Sequence, residues 1–214
     1  MSKHLSADSC AYFRGLPNWQ EHMSPILTEA DKHGLIVDVH VLTLGTGEEQ
    51  DQQRETICSL VRECVETAFG RPGALSASDF VSARFVITLS QGGDVVGVIL
   101  GDYQDYLFTL SFECVAEAMR RKGLGALLYK ASDTVIQCLC RDMTGTLPTT
   151  NDILVVAYTE PEAPVWVREF MPKVGFAMAE RYVPAEDDED LYQYNWGGGY
   201  VHYDLDTWDK RLAY

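Results

Sequence analysis

Long hydrophobic runs are missing from this 214-residue chain. Nothing approaches the ~20 consecutive apolar residues of a bilayer-crossing helix, so no transmembrane segment is expected. The opening residues, Met1-Ser2-Lys3-His4-Leu5-Ser6-Ala7-Asp8, lack the apolar core of a secretory signal, and a cytoplasmic location is expected. Basic residues are scarce: 17 Lys and Arg stand against 32 Asp and Glu, a net charge of −15. A field of that sign repels nucleic acid and anionic lipid and concentrates cations. Neither a nucleic-acid nor a membrane partner is expected; basic substrates are favoured, although acidity can equally serve solubility alone. Metal-ligand spacing is missing as well. Cys138 and Cys140 stand as C-x-C with no histidine pair beside them, so no metal site is expected. The six cysteines (Cys10, Cys58, Cys64, Cys114, Cys138 and Cys140) read as reduced core thiols.

What is present describes an ordinary globular chain, with 46% hydrophobic residues and 11% aromatics. Residues 1 to 34 are irregular and punctuated by Pro17, Pro25 and Gly34, with a helical possibility at Pro25 to Lys32. They read as an N-terminal extension packed on a single domain spanning 35 to 214. Leu35 to Leu42 is the first strand, and Gln52 to Phe69 an amphipathic helix. Arg84 to Ser90 and Val95 to Leu100 flank Gln91-Gly92-Gly93-Asp94 as a hairpin. Leu107 to Val115 is a strand, Leu124 to Leu139 a helix, Asp152 to Tyr158 a buried strand and Ala163 to Met171 a short helix. Gly175 to Val183 and Gly199 to Leu205 read as the last two strands. This mixed order predicts an α/β (α+β) domain: a mixed, mostly antiparallel sheet of about seven strands flanked by helices.

Between the strand ending at Val115 and the helix opening at Leu124 lies Arg120-Arg121-Lys122-Gly123-Leu124-Gly125. A basic glycine turn that leads from a strand into a helix can cradle an anion, because the first-turn N–H groups have no helical partners and the helix dipole favours negative charge. A P-loop is excluded, since its lysine follows the glycines and here Lys122 precedes both. A dinucleotide fingerprint needs a third glycine where Leu128 stands. The order that fits is Arg/Gln-x-x-Gly-x-Gly/Ala, carried by Arg120, Gly123 and Gly125. Together with Lys173-Val174-Gly175-Phe176 further on, it resembles the GNAT superfamily of acyl-CoA-dependent N-acetyltransferases.

That resemblance implies acetyl-CoA as co-substrate, with backbone groups of Cys114, Val115 and Glu117 along the pantetheine arm. It also implies a pyrophosphate held by Arg120, Arg121, Lys122, Gly123, Gly125 and Ala126. Acetyl transfer to an amine needs a base for the ammonium, a donor for the developing oxyanion and a proton or dipole for the leaving thiolate. Glu113, two residues before Val115 and on the same strand face, is the expected base; its alternative is a solvated edge glutamate. Thr109 is a second substrate-facing position of that strand. The tyrosine many relatives use as general acid is replaced by Met171, and an accompanying asparagine by Pro164, which leaves Tyr158 as the expected substitute. For a cationic acceptor the resemblance points to the last inter-strand segment, here Glu186, Asp187, Tyr192 and Tyr194, with His202 beyond. The expected partner is a small-molecule or peptide amine and the expected state a monomer or homodimer. A non-catalytic acyl-CoA sensor or an interaction domain is the alternative.

Overall fold

A computed structural model describes residues 19–41, 55, 58–59, 85–104, 107–142, 152–159, 165–180, 193–196, 199–202 and 206–213. The elements are α1 (Trp19–Lys32), β1 (Ile36–Val41), β2 (Phe85–Gln91), β3 (Asp94–Gln104), β4 (Leu107–Val115), α2 (Leu124–Asp142), β5 (Asp152–Thr159) and α3 (Val165–Phe170). Strands β6 (Ala177–Glu180), β7 (Gln193–Trp196), β8 (Gly199–His202) and β9 (Asp206–Ala213) follow. Seven strands form one sheet in the order β1-β2-β3-β4-β5-β9-β6, and β7 and β8 form a separate ribbon. Among the described residues, only the β4–β5 pairing of the main sheet is parallel. Among the described residues, no helix is long and apolar enough to cross a membrane.

Period-2 alternation assigns the two sheet faces. Phe85, Ile87, Leu89 and Ile99 from the hairpin, Phe108 and Leu110 from β4, and Ile153, Val155 and Ala157 from β5 form one core with α1 and α2. Helix α2 contributes Leu124, Leu127, Leu128, Ala131, Val135 and Leu139, the helical repeat legible in the sequence. Helix α1 adds Met23, Ile26 and Ala30, so the segment preceding β1 completes the same core. At Gly101 the sheet requires the absence of a side chain, because an added Cβ would fall within the ring of Phe85, its partner across β2.

Two expectations need correction. The strand expected at Gly199 to Leu205 is β8, which pairs with β7 outside the main sheet, and the sheet is completed by β9 inserted between β5 and β6. Its inward positions read Trp208, Lys210 and Leu212, and a lysine at the centre breaks the apolar alternation by which a strand is recognised. Lys210 is 5% exposed, pairs with Asp133 of α2 and lies 4.4 Å from the ring centroid of Phe176. Burial pulls its ammonium below the ordinary lysine range and pushes the Asp133 carboxyl up, each against the partner's attraction. Desolvation therefore outweighs the pairing on both sides, and the bridge fixes position more than it adds stability. The second correction concerns sulfur. Cys58, Cys138 and Cys140 are free and buried, but Cys114 is disulfide-bonded and not a reduced thiol.

Gly101→Ala should destabilise the protein by at least about 1–3 kcal/mol, since neither the strand backbone nor the buried Phe85 ring has room to yield. Denaturant unfolding measures it, and adding Phe85→Leu should recover part of the loss.

Candidate active site

Strand β4 carries a bulge. Leu110 pairs with Gly101 and Phe112 with Leu100, so Ser111 is the extra residue. A bulge re-aims everything beyond it. Glu113 and Val115 pair with Ile99 and Gly97 and turn towards α2, whereas Thr109 pairs with Asp102 on the opposite face. Simple alternation expected Thr109 and Glu113 to share a face, and the bulge separates them. Pairing of β4 with β5 runs from Leu107↔Leu154 to Leu110↔Ala157. Beyond it β5 continues to Thr159 against β9 while β4 continues to Val115 against β3. The two parallel strands therefore part at the bulge, with Glu113 on the diverging segment.

The carboxylate of Glu113 reaches the first turn of α2. A Cβ placed on Gly125 would lie 2.8 Å from its Oε1 and 3.2 Å from Cζ of Phe170, so the missing side chain admits the acid beneath the helix. Tyr129, one turn further along the same helix face, stacks its ring against Phe170 and Phe176 at centroid distances of 5.7 and 5.6 Å. Its hydroxyl lies 3.7 Å from Sδ of Met171. Glu113 keeps access to solvent while protein surrounds it closely, the situation of a group on the wall of a cleft. Burial pushes its carboxyl up to about 8, opposed by a hydrogen bond from Tyr129 and by the charge of Lys210. Desolvation outweighs both, so the carboxyl titrates within reach of neutral pH. Burial and the neighbouring Glu113 also push the Tyr129 phenol well above its ordinary value. Sequence reasoning missed Tyr129 and Lys210. The signal for Tyr129 was its spacing of four from Gly125.

The glycine turn has the local geometry of an anion cradle. A short 3-10 turn at Glu117–Met119 leads into it, Arg121 adopts φ 66 and Gly123 φ 79. Two left-handed residues in one short turn curl the backbone, and at Arg121 this is an uncommon conformation for a side-chain-bearing residue. The first bond of α2 runs from Leu127 N to Gly123 O, so the amides of Leu124, Gly125 and Ala126 precede the helical ladder. A Cβ on Gly123 would meet nothing within 4 Å, which leaves open space at the turn. The cations divide in use. Arg120 Nε donates to the Val115 carbonyl at 3.0 Å and Lys122 Nζ lies 3.3 Å from Sδ of Met119. Arg120 thus ties the turn to the end of β4. Arg121 and Lys122 are exposed, as is Glu117, on the preceding turn.

Tyr158 is the first β5 position past the pairing with β4. Tyr194 lies in β7 and His202 in β8, paired with Val201 and Gln193, respectively. Glu186, Asp187 and Tyr192 lie outside the described residues. Met171 is buried in the 3-10 turn after α3, where Gly175 and Phe176 cap its backbone. Among the described residues no group of three or more His, Cys, Asp or Glu is placed to hold a metal ion.

No protein-family model matches the chain, and no curated protein is similar to it in sequence. Solved structures resemble it in fold. The ribosomal-protein-S18-alanine N-acetyltransferase of Escherichia coli superposes with a TM-score of 0.52 at 13% identity, covering 84% of this chain and 96% of its own. PaiA N-acetyltransferase from Thermoplasma acidophilum, solved with coenzyme A, gives 0.50 at 12% identity, covering 83% and 99%. Ard1 from Thermoplasma volcanium gives 0.50 at 16%, covering 83% and 99%. The chain has the GNAT fold.

Gly125→Ala should keep α2, because alanine favours helix, yet displace the Glu113 carboxylate. The carboxyl resonance of Glu113, followed by NMR, should move in its titration midpoint while the far-ultraviolet circular dichroism stays unchanged.

Proposed function

We propose that this protein is an acyl-CoA-dependent N-acetyltransferase that passes acetyl from acetyl-CoA to a primary amine of a cationic acceptor. A polyamine, an aminoglycoside-like amine, and a peptide lysine or N-terminus all belong to that class. The observation that carries the reading is the coincidence of three features in one place: β4 and β5 part, a titratable glutamate lines the gap, and an anion cradle opens the adjoining helix. The negative net charge supports a basic acceptor.

The cradle fits a pyrophosphate on this chain's own terms. The amides of Leu124, Gly125 and Ala126 lie at the positive end of the helix dipole, and the exposed Arg121 and Lys122 add charge in a protein otherwise strongly acidic. Acetyl-CoA, when bound, supplies an activated acyl group and a thiol of modest pKa as leaving group. The residues supply the rest. Cys114, Val115 and Glu117 contribute the wall along which the pantetheine arm lies, with the Val115 carbonyl already engaged by Arg120. Glu113 takes the proton of the acceptor ammonium, directly or through water. A carboxyl raised to about 8 suits this work, since it is basic enough to accept the proton and is still partly ionised near neutral pH. Met171 has no proton to give; Tyr158, on β5 beyond the last position paired with β4, is the donor assigned to the leaving thiolate, and water serves otherwise. Glu186, Asp187, Tyr192, Tyr194 and His202 form the acceptor side in this reading, with Thr109 as an outlying polar position.

A thiol-release assay with acetyl-CoA, run over polyamines, aminoglycosides, amino acids and basic peptides, tests the proposal. Turnover on at least one amine is expected. The rate should climb with pH through a midpoint around pH 8 and level off above it, because only the deprotonated Glu113 accepts the proton. Glu113→Gln should lower turnover about 10²-fold or more and flatten that limb. Saturable acetyl-CoA binding without turnover on any amine would point instead to an acyl-CoA sensor.

A further inference from the structure

Among the described residues, the titratable side chains gathered beneath α2 are Glu113 from β4, Tyr129 and Asp133 from α2, and Lys210 from β9. The segment after β5 faces them with Phe170, Met171 and Phe176, which are apolar. Lys210 is held by Asp133 and by the Val174 carbonyl at 3.5 Å, and its ammonium lies 5.4 Å from the Tyr129 ring centroid. Tyr129 is thus fixed on three sides: Phe170 and Phe176 hold its ring and Met171 lies at its hydroxyl. Gly125, four residues earlier on the same helix, admits both Glu113 and Phe170. The same Phe170 that bounds Glu113 therefore also clamps Tyr129.

We infer that Tyr129 is the positioning residue of the proposed acetyl transfer, its buried hydroxyl donating to the Glu113 carboxylate from α2 and holding that base at the helix entrance. This rests on the acetyl-transfer reading. A phenol buried at 4% exposure among aromatic rings has few other partners for its proton, and Met171 Sδ at 3.7 Å is a weak acceptor beside a carboxylate. The position also accounts for Met171. A tyrosine there would bring a second hydroxyl to the place where Tyr129 already ends, so the chain carries its phenol on α2 and a thioether opposite it.

The hydrogen bond favours the ionised form of Glu113, so removing it raises the carboxyl pKa. Tyr129→Phe keeps the ring packing and deletes only the donor. In the full-length protein without substrate, the NMR titration midpoint of the Glu113 carboxyl should rise by about one pH unit, the size expected for losing a hydrogen bond to a charged group. In the thiol-release assay the pH limb should shift upward by the same amount, making the rate about tenfold lower below the limb and nearly unchanged on the plateau. An unmoved carboxyl midpoint would overturn the inference whatever the turnover. A moved midpoint with an unmoved rate limb would also overturn it, by showing that the contact plays no part in the reaction. Failure of the wild-type protein to acetylate any amine would defeat the acetyl-transfer reading and the positioning role with it, and the substrate-free titration would still report the contact separately. Should Tyr129→Phe not fold, the wild-type protein carries the test: the Tyr129 ring resonances beside the hydroxyl should shift with the same midpoint as the Glu113 carboxyl, and resonances indifferent to that titration would overturn the inference.

Discussion

Parallel pairing between β4 and β5 can continue only while the two strands stay in register, and the bulge at Ser111 ends it. Everything at the candidate site follows from that interruption. The extra residue turns Glu113 from the face it would have shared with Thr109 to the face covered by α2. The gap that opens receives the acid, and the helix entered through the glycine turn closes over it. Gly125 then matters for a reason different from anion binding, because a side chain there would displace the Glu113 carboxylate and crowd Phe170.

The second constraint is the burial of a charge. Lys210 sits on the core face of β9, between Asp133 and the rings of Phe176 and Tyr129. Such a pair costs more in desolvation than it regains in attraction, so its value lies in geometry. It ties the inserted strand to α2 and places a positive charge near Glu113. The Glu113 carboxyl is therefore tuned by opposing influences: enclosure raises its pKa, while the Tyr129 hydroxyl and the Lys210 charge lower it.

Most of the sheet was legible in the sequence. The β2–β3 hairpin around Gly92-Gly93, the strand Leu107 to Val115 and the apolar repeat of α2 follow from period and turn chemistry, and the structure has them at those places. The GNAT fold was legible from Arg120, Gly123 and Gly125 and from the order of elements around them. Other features were hidden for physical reasons. Strand β9 carries Lys210 where an apolar residue was the signal sought, and β8 carries the aromatic and β-branched pattern of a core strand without joining the main sheet. A bulge leaves no mark in composition, so the separation of Thr109 from Glu113 could not be read. Tyr129 lies outside the apolar repeat read for α2, and only the fold brings its hydroxyl to Met171.

The account's central claim is that the turn opening α2 and the gap beside Glu113 form one acyl-CoA site. Calorimetric titration of the full-length protein with acetyl-CoA, repeated at rising salt and with Arg121→Glu/Lys122→Glu, tests it most directly. The account predicts saturable one-to-one binding that weakens with salt and weakens further on charge reversal. Absence of binding, or binding indifferent to both, would contradict it.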